Sequence, residues 1–280
     1  MSLKEKTQAD TGLPDYHIHT PLCKHAVGDV QTYVVAAQKA GIPEMCFTDH
    51  GPNPDGYDPA HRMAMDQLPL YVEDVVSAQK DQGPGVLLGI ETDYYEGCER
   101  FLRDWIHTWK FDMIIGSVHY IDAWGFDNPS QRQVWASLDV TAAWRTYFGL
   151  IGSLAGTGFY DVVGHLDLPK KFGYRPPDRT LEEMAKPALD KIAGAGMGIE
   201  INTAGLRKPV GEIYPSALLL TLARERDIPV CFGSDAHSPE EVGAGFLEAA
   251  ELARECGYTH YFRISRRKMR LVPLKNDLFA

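Results

Sequence analysis

The stretch Asp15-Tyr16-His17-Ile18-His19-Thr20 decides how the rest of the chain is interpreted. In a β-strand, side chains two residues apart point to the same side, so His17 and His19 would lie next to each other while Ile18 packs on the opposite side. Two imidazoles at this spacing can bind one metal ion. An isolated pair is equally typical of metal-free histidines with acid–base or structural roles. Residues at the ends of the other predicted strands distinguish these interpretations.

The composition is that of a globular protein with a large core. Its 280 residues are 44% hydrophobic, and no apolar run is long enough to cross a bilayer, so we expect no membrane partner. The formal net charge of −10, with dispersed Lys and Arg, argues against a nucleic-acid partner. Five scattered cysteines without a C-x-x-C pair predict a reducing, cytoplasmic location. The oligomeric state is left open.

Short apolar runs alternate with helical patterns, which is typical of βα units that build a parallel sheet. The predicted strands are 15–20, 44–48, 86–90, 111–118, 161–164, 198–202 and 229–234. The predicted helices are 29–41, 67–81, 99–109, 139–154, 180–194, 216–226 and 239–256, with a long loop at 121–138. We therefore expect one α/β barrel domain over residues 1–280, with seven βα units, a short lead-in at 1–14 and a tail from about 271.

Polar residues lie at the C-terminal ends of these strands or a few residues beyond them. They are His19, His50, Glu91, His119, His165, Asn202 and Asp235. In a (β/α) barrel this face carries the active site, so residues that are distant in sequence should converge there.

The candidate metal ligands are more numerous than one ion can use. They are His17, His19, His25, His50, Glu91, His119, His165, Asp235 and His237. A catalytic zinc typically takes three protein ligands and water, so we expect two to three divalent metal ions. Imidazoles with carboxylates favour Zn, Fe or Mn. The three remaining histidines, His61, His107 and His260, are predicted to have surface or structural roles.

Several adjacent metal ions favour hydrolysis of a phosphate ester. Such ions lower the pKa of a bound water and neutralise the oxygens of a displacement at phosphorus. The main chemical competitor is metal-assisted hydrolysis of an amide or cyclic imide. That chemistry also uses a barrel H-x-H, but typically with a bridging Lys or carboxylate from the fourth strand, which this sequence does not have there.

In their order along the chain, the motifs resemble those of the PHP (polymerase and histidinol phosphatase) superfamily. They are His17-Ile18-His19-Thr20, Thr48-Asp49-His50-Gly51, Gly89-Ile90-Glu91, Gly116-Ser117-Val118-His119, Gly164-His165-Leu166-Asp167 and Gly233-Ser234-Asp235-Ala236-His237. The resemblance extends over about residues 15–270. It implies a distorted (β/α)7 TIM-like barrel, with the active site at the C-terminal ends of the strands, and a trinuclear metal site.

The resemblance also implies which residues bind each ion. One ion would take His17, His19, Glu91 and Asp235; a second would share Glu91 and take His119 and His165; a third would take His25, His50 and His237. The catalytic residues would then be His17, His19, Glu91, His119, Asp235 and His237. The last two are also candidates for the proton donor.

Two stretches resemble the monofunctional histidinol-phosphate phosphatases within this superfamily. They are 117–127 and 200–216. The implied substrate is a small phosphate ester, L-histidinol phosphate. Arg207 could clamp its phosphate in a bidentate way, and Lys170, Lys171 and Arg175 are further phosphate candidates. Asp127 or Glu212 could meet the substrate amine.

Two other functions fit the same motifs. A PHP phosphoesterase could act on another small phosphate ester or on a nucleotide. Alternatively, this chain could belong to a different class, as a non-catalytic metal-binding module, although the complete ligand set argues against that.

Overall fold

A computed structural model of the chain describes residues 11–54, 57–80 and 83–275. The strands are β1 (Asp15–Ile18), β2 (Glu44–Phe47), β3 (Gly85–Asp93), β4 (Met113–Ser117), β5 (Tyr120–Ile121), β6 (Trp124–Gly125), β7 (Val162–Val163), β8 (Gly198–Asn202), β9 (Val230–Gly233), β10 (His260–Ser265) and β11 (Lys268–Pro273). The α-helices are α1 (Val30–Lys39), α2 (Leu68–Ala78), α3 (Cys98–Trp105), α4 (Val140–Ala155), α5 (Asp178–Gly194), α6 (Ala217–Arg224) and α7 (Phe246–Glu255).

Seven parallel strands form one sheet in the order β1-β2-β3-β4-β7-β8-β9. The first and last strands of this order meet, because Ile18 forms a parallel bridge with Ala236 and the His19 N–H donates to the Ala236 carbonyl at 3.0 Å. The sheet is thus a nearly closed barrel with helices between the strands. The predicted α/β barrel is confirmed.

Helix α1 illustrates how local sequence places the helices around the barrel. The Asp29 carboxylate accepts a hydrogen bond from the Thr32 N–H at 2.8 Å, and the Thr32 hydroxyl accepts one from the Asp29 N–H. These two bonds form a capping box. Val30, Tyr33 and Val34 recur at helical spacing and are buried. The apolar face of the helix therefore packs on the barrel.

Two segments differ from the sequence prediction. The helix predicted to begin after Ser238 begins at Phe246 instead, because Gly243 and Gly245 have left-handed backbones with φ of 67° and 78°. A single 3-10 turn, Pro239–Glu241, comes before them. The predicted loop 121–138 contains the β6 strand of the β5–β6 hairpin and the 3-10 helix Pro129–Ser137.

The structure describes only part of the expected lead-in and tail. Leu13 is buried within the predicted lead-in, and residues 1–10 lie outside the described part. Residues that were expected in the tail complete β11, which pairs antiparallel with β10, and residues 276–280 are again outside the description. This hairpin covers the N-terminal ends of the strands, since Arg263 pairs with Glu44 at 2.5 Å and Arg267 with Asp161 at 3.0 Å.

The helices that the structure describes include none with the length and apolar character needed to span a membrane.

Candidate metal centre

The nine predicted ligands converge at the C-terminal ends of the barrel strands. Their imidazoles are closely spaced: the ring centroids of His17 and His19 are 5.0 Å apart, and those of His19 and His50 are 4.4 Å apart. On the other side, the rings of His119 and His165 are 4.9 Å apart. Parallel strands bring these residues together because the carboxyl ends of all seven strands form one face.

Glu91, on β3, lies between two groups of histidines. Its Oε2 is 2.8 Å from His50 Nδ1 and 3.5 Å from His17 Nε2. Its Oε1 is 3.2 Å from His165 Nε2 and 3.8 Å from His119 Nε2. The two oxygens of one buried carboxylate therefore face different imidazole groups, which is the geometry expected of a carboxylate shared by two cations.

His17 and His19 each have one ring nitrogen beside a carboxylate, which leaves the other nitrogen for a different partner. His17 Nδ1 is 2.7 Å from Glu200 Oε2, and His19 Nδ1 is 3.3 Å from Asp49 Oδ1. The Nε2 atoms of both rings and Glu91 Oε2 are buried and form no hydrogen bond of regular geometry with the described residues, although His19 Nε2 lies 3.1 Å from Asp235 Oδ1 and Glu91 Oε2 lies beside His50. Metal-bound histidines typically have a carboxylate on the other nitrogen, so these orphaned atoms fit a bound cation.

On β9, next to His17, position 233 has no space for a side chain. A Cβ added to Gly233 would lie 2.7 Å from the His17 Cβ and 2.7 Å from Glu200 Oε2. The glycine in the Gly-Ser-Asp motif therefore allows β9 to approach the histidine and its carboxylate partner.

A similar arrangement holds the second group. His119 Nδ1 is 2.5 Å from Asp93 Oδ1, which leaves its Nε2 directed towards Glu91. His165 has a left-handed backbone with φ of 23°, and its N–H donates to Glu200 Oε1 at 2.6 Å. The hydrogen bond holds this strained residue beside the shared carboxylate.

His25 and His237 face each other at the rim. Their Nε2 atoms are 2.9 Å apart, while His25 Nδ1 lies 2.8 Å from the Cys23 carbonyl and His237 Nδ1 lies 3.0 Å from the Asp235 carbonyl. A carbonyl oxygen only accepts, so each Nδ1 carries the proton and the two Nε2 lone pairs face each other in the neutral rings. That arrangement favours a cation next to both nitrogens.

Several groups of three side chains have the spacing needed to hold an ion. They are His17, His19 and Glu91; Glu91, His119 and His165; His19, His50 and His237; Cys23, His25 and His237; and His19, Cys23 and Asp49. The first contains three of the four ligands that the resemblance implies for one ion, without Asp235, and the second contains the ligands implied for another ion. Around the third position the grouping differs, because His50 is also grouped with His19 and because the buried Cys23 joins the set.

The buried ionisable groups of the centre shift one another's pKa values. Burial opposes ionisation of Glu91, but His50, His17 and His165 outweigh it and hold the pKa of this carboxyl well below its usual value. Burial likewise lowers the pKa of His17, yet the carboxylates of Glu200 and Asp235 hold that pKa well above the usual value. The surrounding imidazoles thus keep the Glu91 carboxylate in its anionic form, which is the form that binds a metal ion.

A cavity of about 390 Å³ opens over these side chains. Lys171 and Asp127 both line it, and Lys171 Nζ is 3.0 Å from Asp127 Oδ2. Burial raises the pKa of Asp127 but the ammonium of Lys171 outweighs it, so the pKa falls to about 2. The cavity is of the size that binds small molecules.

Two predicted substrate contacts are directed elsewhere in this structure. Arg207 donates to the Ser234 carbonyl at 2.7 Å and pairs with Glu241 at 3.1 Å, so it supports the backbone next to Asp235. Arg175 pairs with Glu212 at 3.1 Å on the surface. The described residues that line the cavity include neither arginine.

Other residues of the site were missing from the sequence prediction. Glu200, Asp49 and Asp93 are buried carboxylates that hold the histidine rings, and Arg62 is a buried arginine in the cavity wall. His61, which was predicted to have a surface or structural role, is partly exposed and also lines the cavity. Glu200 could have been found from the strand pattern, since it is a charged residue inside an apolar strand, and Asp93 from its place at the end of β3. Arg62 follows a loop with no such signal.

Comparison with known proteins agrees with this geometry. A PHP domain model matches residues 15–204, and a PHP-associated model matches residues 218–255. A probable histidinol-phosphatase of Deinococcus radiodurans is 45% identical over 249 residues, which cover 88% of this chain and 95% of the relative. The histidinol-phosphatase of Bacillus subtilis is 30% identical over 257 residues, which cover 83% of this chain and 96% of the relative.

A solved structure has the same fold. The histidinol phosphate phosphatase of Lactococcus lactis, complexed with Zn, L-histidinol and phosphate, superposes with a TM-score of 0.81 at 20% identity. The superposition covers 92% of this chain and 99% of that one. On the PHP model match and the two relatives, this chain belongs to the PHP domain family.

Proposed function

We propose that this chain is a metal-dependent phosphomonoesterase that hydrolyses L-histidinol phosphate to L-histidinol and phosphate. The observation that carries the proposal is the position of Glu91, whose two oxygens face two separate groups of histidines. We also propose that the nine ligands hold two to three divalent ions, Zn, Fe or Mn, in the sets that the resemblance implies. The groupings of His17, His19 and Glu91 and of Glu91, His119 and His165 support two of them.

Divalent ions in this centre would supply an activated water and neutralise the phosphate oxygens. The chain itself orients the ligands: Glu200 and Asp49 fix the rings of His17 and His19, so that their Nε2 atoms face Glu91 and Asp235. The organic part of the substrate needs an anionic partner for its ammonium group. We assign Asp127 to that task and Lys171 to the phosphate, since both groups line the cavity.

The relatives support this choice of substrate. Two proteins that are 45% and 30% identical over most of this chain bear the name of histidinol-phosphatase, the first as a probable one. The Lactococcus lactis structure contains L-histidinol and phosphate, the two products of the proposed reaction.

The direct test compares phosphate release from histidinol phosphate, an aryl phosphate and several nucleotides, with elemental analysis of the same preparation. We expect at least two metal equivalents, the highest kcat/KM for histidinol phosphate, and loss of turnover after chelation that added Zn or Mn restores. Preference for a nucleotide would indicate a different phosphoesterase. Hydrolysis of none of the esters by metal-loaded protein would favour a non-catalytic module.

Replacing Lys171 tests the assignment of the phosphate contact. We expect Lys171→Met to raise KM about 10- to 100-fold, because a charge-assisted hydrogen bond contributes about 1.5–3 kcal/mol and about 1.4 kcal/mol corresponds to a factor of ten. Arg175→Met is the matched control, since its guanidinium pairs with Glu212 away from the cavity. Steady-state kinetics on both variants decide the matter, and equal KM values for Lys171→Met and wild type would rule out the contact.

A further inference from the structure

Arg62 is a buried cation in the wall of the cavity. It lies in the segment between β2 and α2, and only 3% of the residue is exposed although it lines the cavity. Burying a guanidinium is costly unless charged partners surround it. Its partners therefore indicate what it does.

The first partner is Asp93, at the end of β3. Arg62 Nη2 is 2.6 Å from Asp93 Oδ2, and the other oxygen of the same carboxylate is 2.5 Å from His119 Nδ1. The three side chains form a chain in which the arginine fixes the carboxylate and the carboxylate fixes the imidazole. The His119 ring is thereby turned with its Nε2 towards Glu91.

Two further contacts connect Arg62 to the rest of the centre. Its Nη1 contacts Nδ1 of His50, which lies beside the other oxygen of Glu91. Its Nε lies 3.4 Å from Asp58 Oδ2, in the same segment of chain. One planar guanidinium thus joins the loop after β2 to histidines on both sides of the shared carboxylate.

We propose that Arg62 is a positioning residue that sets the geometry of the metal centre through Asp93. Its terminal nitrogens already contact Asp93, His50 and His119, so it acts on the ligands and not as a clamp for the substrate phosphate. Lysine could not replace it, because an ammonium group cannot present two nitrogens in one plane to separate partners.

The inference rests on the proposed phosphatase function, and its test has a readout that does not depend on turnover. Wild type, Arg62→Lys and Arg62→Met are loaded with Zn or Mn, dialysed against graded chelator and analysed for bound metal. We expect both variants to lose at least one ion at about 10- to 100-fold lower chelator concentration, the range in which partners of metal-bound histidines act. Arg103→Met, on the exposed side of α3, is the control and should retain metal as wild type does.

Kinetics on the same samples separate positioning from substrate binding. We expect kcat to fall while KM for histidinol phosphate stays within about threefold. In an additional variant, Arg62→Ala, we expect guanidinium ion to restore part of kcat, since the vacated space opens to the cavity. A raised KM with full metal content would overturn the proposal in favour of a phosphate clamp. Unchanged metal retention and kcat, with or without a lower Tm, would also overturn it.

Asp93→Asn provides a second route in case the arginine variants do not fold. It leaves Arg62 in place but removes the carboxylate charge that links it to His119. The proposal requires the same earlier loss of metal, and wild-type retention in Asp93→Asn would contradict it. A wild-type protein that binds metal but hydrolyses no phosphate ester would contradict the proposed function instead, while the metal readout for Arg62 would still apply.

Discussion

Glu91→Gln is expected to lower kcat by about 10³-fold or more while the barrel stays folded. Glutamine keeps the shape of the side chain and can still accept the hydrogen bond that the Ser117 hydroxyl donates to Oε1 at 2.5 Å. It removes the negative charge that faces both histidine groups. Metal ions contribute several kcal/mol of charge stabilisation in such reactions, and about 1.4 kcal/mol corresponds to a factor of ten in rate.

The measurement pairs kcat with metal content and thermal unfolding. We expect Glu91→Gln to bind fewer ions than wild type, since the carboxylate that faces both positions is lost. Glu251→Gln, on the exposed face of α7, removes the same charge far from the centre and should change neither quantity. A Glu91→Gln variant with wild-type kcat would show that the carboxylate does not join two cations.

The barrel itself follows from regular features of the sequence. Apolar runs followed by helical patterns predict parallel strands, and strands such as β8, 198–202, have the predicted bounds. The interruption before α7 was missed because Ser238, Pro239 and the two glutamates that follow are a typical helix start. Only the left-handed backbones of Gly243 and Gly245 reveal that the helix begins later.

The site was predictable where topology alone brings residues together. Histidines at strand ends need no further information, since parallel strands end on one face. The arginines were not predictable in this way: Arg207 follows β8 in a suitable place, but Glu241 and the Ser234 carbonyl hold its guanidinium. Arg62 lies in a loop, and a loop has no sequence periodicity from which the direction of its side chains can be predicted.

The Asp15 carboxylate connects the stability of the barrel to the position of two metal ligands. Its buried carboxylate accepts hydrogen bonds from the Ser234 N–H at 2.9 Å, the Ser234 hydroxyl at 2.5 Å and the Gly243 N–H at 2.9 Å. These bonds connect β1 to the segment after β9, at the seam where the barrel closes. Two of the proposed ligands lie at this seam: His17 is two residues after Asp15, and Asp235 is one residue after Ser234.

Asp15→Ala is therefore expected to reduce the free energy of unfolding by about 2–6 kcal/mol. The reason is that two buried N–H groups lose their acceptor, at about 1–3 kcal/mol each, and the seam at the Ile18–Ala236 bridge loses the bonds that hold it. Urea unfolding of metal-free protein measures the loss without the stabilisation that bound ions add. Asp66→Ala, an exposed residue, is the control and should stay within about 0.5 kcal/mol of wild type. If Asp15→Ala unfolds at the wild-type urea concentration, the carboxylate does not hold the seam.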